Sequence, residues 1–213
     1  MNDFTVAMAL VDYVPVLLFA AAAVLLQRDL YHKMSKGAFA LFAAGTVNIF
    51  CAGFLKATWK LLYAAGICDF RALDEMFFPV QSIGFLLAGL GIVAMVCFRQ
   101  KEERVYTAAV APAVFSGTFL FVGLMVAGLA CMNAGLSYIA VKMKKPGAVV
   151  CFVVTFVCCM GMGYLSSQDF AQASMNWIAE GVNVVGQSAL LLGTLLLHKA
   201  GLAQWGLVVF TTL

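Results

Sequence analysis

The stretch GAVVCFVVTFVCCMGMGYL, residues 147–165, contains no charged side chain. As an α-helix it would be about 28 Å long at 1.5 Å per residue, close to the roughly 30 Å hydrocarbon thickness of a bilayer. Lys142, Lys144 and Lys145 come just before it, and such basic clusters are typical of the cytoplasmic boundary of a membrane span. The stretch therefore predicts a transmembrane helix.

The rest of the chain has the same apolar character. Of its 213 residues, 64% are apolar and 11% are charged, and the mean hydropathy is +0.99. Soluble domains carry roughly 25% charged residues. Further helices are predicted at residues 4–27, 37–57, 77–97 and 174–197. The longest segment outside the predicted helices is about 20 residues, too short for a nucleotide-binding, zinc-binding or DNA-reading domain. We expect an all-α polytopic membrane bundle, one transmembrane domain over residues 1–213.

Segment 105–141 decides the number of spans. As one helix it would be about 55 Å long, whereas two helices of about 18 residues each would just cross the bilayer. With two helices, ten basic residues lie inside and three outside; with one helix, the counts are six and seven. The positive-inside rule therefore favours seven transmembrane helices, an outside N-terminus and a cytoplasmic C-terminus. The turn between the two helices is expected near Ser116–Gly123, where glycines are available as helix breakers.

The N-terminal apolar run is expected to be a retained helix. A secretory signal begins with a positively charged stretch, whereas this run begins with Asp3 and contains Asp12. With its many spans and basic inner loops, the chain is expected to be a multi-pass protein of the bacterial cytoplasmic (inner) membrane.

The chain also matches itself at two offsets. The matched pairs are Gly37 with Gly147, Ala38 with Ala148 and Phe42 with Phe152 at an offset of 110, and Gln81 with Gln187 and Ser82 with Ser188 at 106. These matches predict a 3+1+3 internal repeat. Its parts would be a three-helix unit at about 4–98, a linker helix at about 104–121, a second unit at about 123–198 and a short C-terminal tail, 199–213.

In topology, this plan resembles that of the SWEET and PQ-loop transporters, in which parallel three-helix repeats flank a central site. PQ-loop proteins carry adjacent Pro and Gln in the first helix of each unit. Here Pro79 and Gln81 are separated by Val80 and lie in the third helix. The resemblance implies transport of a solute between the two units.

Polar side chains within apolar helices normally face a bundle interior and often mark functional sites. In the last helix, Glu180 shares a face with Asn183 and Gln187, at i+3 and i+7, and with a tryptophan at i−3. The third helix carries a carboxylate and an amide at corresponding places, and the second helix has an amide at mid-depth and a lysine near its outer end. The expected substrate-binding residues are Glu180, Gln187, Asn183, Trp177, Asp74, Gln81, Asn48 and Lys56.

Three functions compete for this set of residues. The first is a solute carrier or facilitator with a central polar site in the outer half of the bundle. The second is a small seven-helix sensor or accessory subunit whose polar residues receive a ligand without transport or only fasten helices, with Glu180 hydrogen-bonded to its neighbours or paired with Lys56. The third is an intramembrane hydrolase that uses Asp74 and Glu180 as acid and base. We expect the carrier. Enzymatic activity is left open, but the sequence favours its absence.

No cofactor or metal site is expected. The seven cysteines form no CxxC pair, and His32 and His198 are too few for a multi-histidine metal centre. Nucleotide-binding motifs are missing, and the basic residues lack the interleaved aromatics of a nucleic-acid surface. The expected partners are membrane lipids and a small-molecule or ion ligand, with no nucleic acid. A homo-oligomer and a partner membrane protein both remain open.

Overall fold

The computed structural model describes residues 5–97, 118–165 and 173–206, and within these ranges all regular secondary structure is helical. The helices are α1 (Val6–Val11), α2 (Tyr13–Leu30), α3 (Lys36–Ala64), α4 (Ala72–Glu75), α5 (Phe77–Cys97), α6 (Thr118–Lys142), α7 (Pro146–Leu165) and α8 (Ala173–Lys199). Six spans of the described chain are long and apolar enough to cross a membrane, with α1 and α2 forming one span and α4 and α5 another. The chain thus has the helices of a multi-pass membrane protein.

Most of the predicted linker helix, 104–121, lies outside the described residues. The count of seven spans therefore stays a prediction at this point. The described part of the expected turn at Ser116–Gly123 is helical, because α6 already begins at Thr118. A single glycine inside a helix costs only about 1 kcal/mol relative to alanine, so Gly123 does not interrupt the apolar run.

Two local features of the sequence position the charged side chains near one end of the bundle. Pro15 has no N–H to bond the carbonyl of Val11, and the first span accordingly breaks into α1 and α2 at Asp12. Helix α3 ends at Ala64, seven residues beyond the predicted end at residue 57, and the left-handed Gly66 follows it. As a result, Lys60 lies on a transmembrane helix rather than in a loop.

The six long helices form a closed ring in the order α2, α3, α5, α6, α7, α8 and back to α2. Close contacts of glycines give their directions. Gly84 lies against Ile49 and Gly91 against Phe42, so α5 is antiparallel to α3. Likewise, Gly193 lies against Phe152, nearer the start of α7, while Gly186 packs on Cys158, so α8 is antiparallel to α7.

Two neighbouring pairs in the ring are parallel. Gly128 lies against Phe85 and Gly135 against Ile92, so residue numbers rise together along α5 and α6. Helices α2 and α8 meet at one end around Lys60 and at the other through Asp29 and His198. We call these two ends of the bundle the Lys60 end and the His198 end, and the two parallel contacts the α5/α6 seam and the α2/α8 seam.

Some buried positions of the first three long helices recur in the last three. Those shared by α2 and α6 are 19, 22, 23, 26, 29 and 30 against 129, 132, 133, 136, 139 and 140, an offset of 110. Those shared by α3 and α7 are 38, 42 and 45 against 148, 152 and 155, again 110, whereas the buried Thr46, Ile49 and Ala52 of α3 correspond to half-buried positions of α7. Those shared by α5 and α8 are 84, 88, 91, 92 and 95 against 186, 190, 193, 194 and 197, an offset of 102. The paired helices therefore share part of the face that points into the bundle.

Candidate functional site

Three charged side chains from three helices meet at the Lys60 end. Lys60 of α3 forms an ion pair with Asp12, at the break between α1 and α2, and its Nζ lies 3.4 Å from Oε1 of Glu180 in α8. The exposed fraction is 7% for Asp12, 8% for Lys60 and 7% for Glu180. We call this group the Lys60 triad. The triad thereby connects the α2/α8 seam to α3.

The Lys60 triad has more carboxylate than its lysine can satisfy. Oδ1 of Asp12 and Oε2 of Glu180 are both buried, and neither receives a hydrogen bond from a described donor. With all three groups ionised the net charge of the triad is −1. A buried excess charge is costly, so the arrangement suits the uptake of one further positive charge, such as a proton or a small cation.

Of the triad, only Glu180 belongs to the expected site. The expected helix-fastening alternative paired Glu180 with Lys56, and the structure corrects this to Lys60, one helical turn later. Lys60 is not among the expected site residues, because the predicted helix ends at residue 57. Asp12 was read only as evidence against a signal peptide, although a carboxylate within an apolar run is itself a signal for a functional site.

Lys56 and Asp74 form a more exposed pair at the same end, and Lys56 also interacts electrostatically with Asp12, Lys60 and Glu180. Their Nζ and Oδ1 atoms are 3.9 Å apart, and the side chains are 34% and 39% exposed. The ammonium of Lys56 also lies over the ring of Phe77, 4.0 Å from its centroid. Exposed pairs of this kind contribute little to stability, so this pair marks a polar rim beside the triad.

The other expected site residues spread over several helices. Gln187 and Asn183 are half-buried on α8, and Oε1 of Gln187 is buried without a described donor. Trp177 was expected to share the inward face of Glu180, but it is 47% exposed, since residues three apart on a helix point about 60° from each other. Gln81 on α5 and Asn48 on α3 are half-buried.

A hydrogen-bonded loop lies at the Lys60 end between α3 and α4. Oδ1 of Asp69 accepts a hydrogen bond of 3.0 Å from Nε1 of Trp59, and Oδ2 accepts one of 3.0 Å from Nε of Arg71. These two bonds to the charged form hold the pKa of Asp69 below its ordinary value. The loop is thereby tied to the last turns of α3, the helix that carries Lys60.

A second charged cluster occupies the His198 end of the α2/α8 seam. Oδ2 of Asp29 lies 2.8 Å from Nδ1 of His198, and Arg28 contacts both residues. The side chain of Asp29 is 1% exposed, whereas those of His198 and Arg28 are 36% and 60% exposed. Lys33 also faces Asp29 and donates a hydrogen bond to the carbonyl of Trp205. The cluster thus joins a buried carboxylate to the surface.

Within the described ranges, no three His, Cys, Asp or Glu side chains come together in a way that could hold a metal ion. No protein-family model matches the chain, and no curated protein or solved structure shows significant similarity to it. The function is therefore argued from the geometry of the charged clusters.

Proposed function

We propose that the protein is an integral membrane carrier made of two parallel three-helix units, with a cation-exchanging site at the Lys60 triad. The units would be α2, α3 and α5, and α6, α7 and α8. The seventh crossing of this plan has support from the α5/α6 seam. Because α5 and α6 are parallel, Cys97 and Thr118 lie at opposite ends of the bundle, and the 20 residues between them would reach about 30 Å as a helix.

The repeat has support from the recurring buried positions, with one change of register. The third helices correspond at an offset of 102, which pairs Gly84 with Gly186 and Gly91 with Gly193. The expected match of Gln81 with Gln187 at 106 is one helical turn away from this alignment. Both glycine pairs lie at close contacts of α5 with α3 or of α8 with α7, so the packing supports the offset of 102 rather than the offset of 106.

The orientation has support from the basic residues. The His198 end carries seven described lysines and arginines, against three at the Lys60 end; the seven are Arg28, Lys33, Lys36, Lys142, Lys144, Lys145 and Lys199. Basic residues prefer the cytoplasmic side, so the Lys60 triad would lie in the outer half of the bundle. A bacterial inner membrane fits this arrangement.

The observation that carries the carrier proposal is the charge imbalance of the triad. Intramembrane ionisable groups each cost roughly 2.5–3.5 kcal/mol on insertion scales, and they are usually neutralised in pairs. Here Lys60 can neutralise Asp12 or Glu180 but not both. One added cation would complete the balance, and its release would restore the imbalance, which is the behaviour expected of an exchange site.

The test is cation flux in vesicles reconstituted with the purified protein. Fluorescent indicators for H⁺, Na⁺ and K⁺ are sealed inside, and each gradient is imposed in turn. Glu180→Gln removes the excess charge while keeping the shape of the side chain. Glu75→Gln makes the same chemical change at an exposed position of α4 at the same end and serves as the matched control.

We expect flux of at least one cation in the wild type, its loss in Glu180→Gln, and its retention in Glu75→Gln. Equal flux in both variants, or no flux of any of the three cations in the wild type, would refute the carrier. Binding of a cation at Glu180 without flux would instead support the alternative, a membrane sensor or accessory subunit.

A further inference from the structure

One face of α8 links the two charged clusters of the α2/α8 seam. Glu180, Gln187, Thr194 and His198 follow one another at spacings of seven, seven and four residues, which keeps them within about 40° of each other around the helix axis. Glu180 belongs to the Lys60 triad, and His198 pairs with the buried Asp29. Polar groups therefore recur along α8 from one end of the bundle to the other.

These groups also have unused hydrogen-bonding capacity. Oε2 of Glu180, Oε1 of Gln187 and Oγ1 of Thr194 are all buried, and none has a hydrogen-bond partner among the described residues. Thr194 has no exposed surface at all. Buried polar atoms in proteins are normally satisfied by protein groups or by ordered water. Three such atoms on one helical face are what a chain of internal water molecules would need.

The second parallel seam has apolar residues at the corresponding positions. The positions that correspond to Glu180 and His198 at the offset of 102 are Phe78 and Val96, and those that correspond to Asp12 and Asp29 at 110 are Val122 and Ile139. All four are apolar. The α5/α6 seam is held instead by close glycine contacts, such as Gly128 against Phe85 and Gly135 against Ile92.

We propose that α8 carries a proton path between the Lys60 triad and the Asp29–His198 pair. The inference rests on the proposed carrier function and names its cation as H⁺. A proton taken up on the free carboxylate oxygen of Glu180 would pass over water molecules held by Gln187 and Thr194 to Asp29 or His198. One proton enters and one leaves at the other end, so the charge of the protein is unchanged after each passage.

The axial spacing of Glu180, Gln187, Thr194 and His198 requires water to take part. Seven residues of helix correspond to about 10 Å and four to about 6 Å, both longer than a hydrogen bond, so no two successive residues of this face can exchange a proton directly. Arg28 and Lys33 also face the inner pair, and Lys199 follows it on α8.

The test uses vesicles with the pH indicator pyranine sealed inside and a proton gradient imposed across the membrane. Thr194→Val removes the hydroxyl but keeps the shape, whereas Thr194→Ser keeps the hydroxyl. We expect Thr194→Val to lower the proton rate by about tenfold or more, as for the loss of one hydrogen bond to a charged group, and Thr194→Ser to retain it. Ser188→Ala, which removes an exposed hydroxyl of the same helix, is the matched control and should match the wild type.

Asp29→Asn provides a second, independent probe at the inner end, should Thr194→Val fail to fold. It should slow proton flux while Glu75→Gln does not. If Glu180→Gln abolishes proton flux but Thr194→Val and Asp29→Asn leave it at the wild-type rate, the path is overturned and the carrier stands. If the rates of Thr194→Val and Thr194→Ser fall equally, the loss follows packing rather than the hydroxyl, and the path is likewise overturned. Unchanged proton flux in Glu180→Gln would overturn the path, and the carrier would then stand only if flux of Na⁺ or K⁺ is lost in the same variant.

Discussion

Replacing Lys60 with methionine tests whether the triad is a charge-balanced unit. The change keeps most of the apolar stem but removes the only described cation paired with Asp12 and Glu180. Both carboxylates are 7% exposed, so two like charges would be left buried together. Breaking a buried ion pair by removing one partner costs about 3–5 kcal/mol, and we expect Lys60→Met to lose this amount of unfolding free energy near neutral pH.

Neutral side chains of the same shape at the two carboxylate positions should restore the lost stability. The triple variant Lys60→Met, Asp12→Asn, Glu180→Gln carries no charge in the triad and should be close to the wild type in stability. Lys56→Met, one turn earlier on α3, is the matched control. Its partner Asp74 is 39% exposed, so its loss should cost at most about 1 kcal/mol.

The assay is detergent-induced unfolding in mixed micelles near neutral pH, followed by tryptophan fluorescence. Equal losses of stability in Lys60→Met and Lys56→Met would refute the reasoning. A triple variant as unstable as Lys60→Met would show that packing of the lysine stem, not its charge, holds the site.

Three further predictions concern the seam, the loop and the orientation. Gly128→Ala should destabilise the protein by about 1–3 kcal/mol, because its Cβ would overlap the backbone at the α5/α6 seam, whereas Gly123→Ala has open space and should be neutral or stabilising in the same unfolding assay. The pKa of Asp69 is lowered, so its hydrogen bond from Trp59 is present at pH values above the ordinary aspartate pKa of about 4. The bond is lost only as the pH falls through the lowered pKa. In a protein whose only tryptophan is Trp59, acidification should therefore shift the emission, and Asp69→Asn should remove that shift. An impermeant maleimide added to intact cells should label the exposed Cys68, and labelling by permeant reagents alone would reverse the proposed orientation.

The sequence predicted the membrane-spanning helices well, because long apolar runs leave few alternatives. Helix α5 runs from Phe77 to Cys97 as expected, and α7 differs by one residue at its start. Helix ends were less predictable. Thr58, Trp59 and Lys60 read as the start of a loop, yet no proline or glycine interrupts the run before Gly66, and α3 continues through them.

Of the expected site residues, Glu180 is a carboxylate within an apolar helix, and it is buried, as a charge in such a helix requires. The lysine that pairs with Glu180 could not be predicted from spacing. Lys56 and Lys60 lie one turn apart on the same face of α3, and Lys60 belongs to that helix only because α3 extends beyond residue 57. The pair of Asp29 and His198 depends on a contact across 169 residues, which periodicity within one helix does not show.

The two parallel seams are held together in different ways, and this difference is the strongest reason to look for function along α2 and α8. If both seams only had to hold helices together, the apolar and glycine-rich solution of α5 and α6 would serve for both, without the cost of burying ions. The chain instead carries charged clusters at both ends of one seam, with Gln187 and Thr194 between them. Replacing a buried ion cluster by apolar groups is often neutral or stabilising. Stability alone therefore does not account for the charges, whereas exchange of a proton across the membrane would require them at both ends.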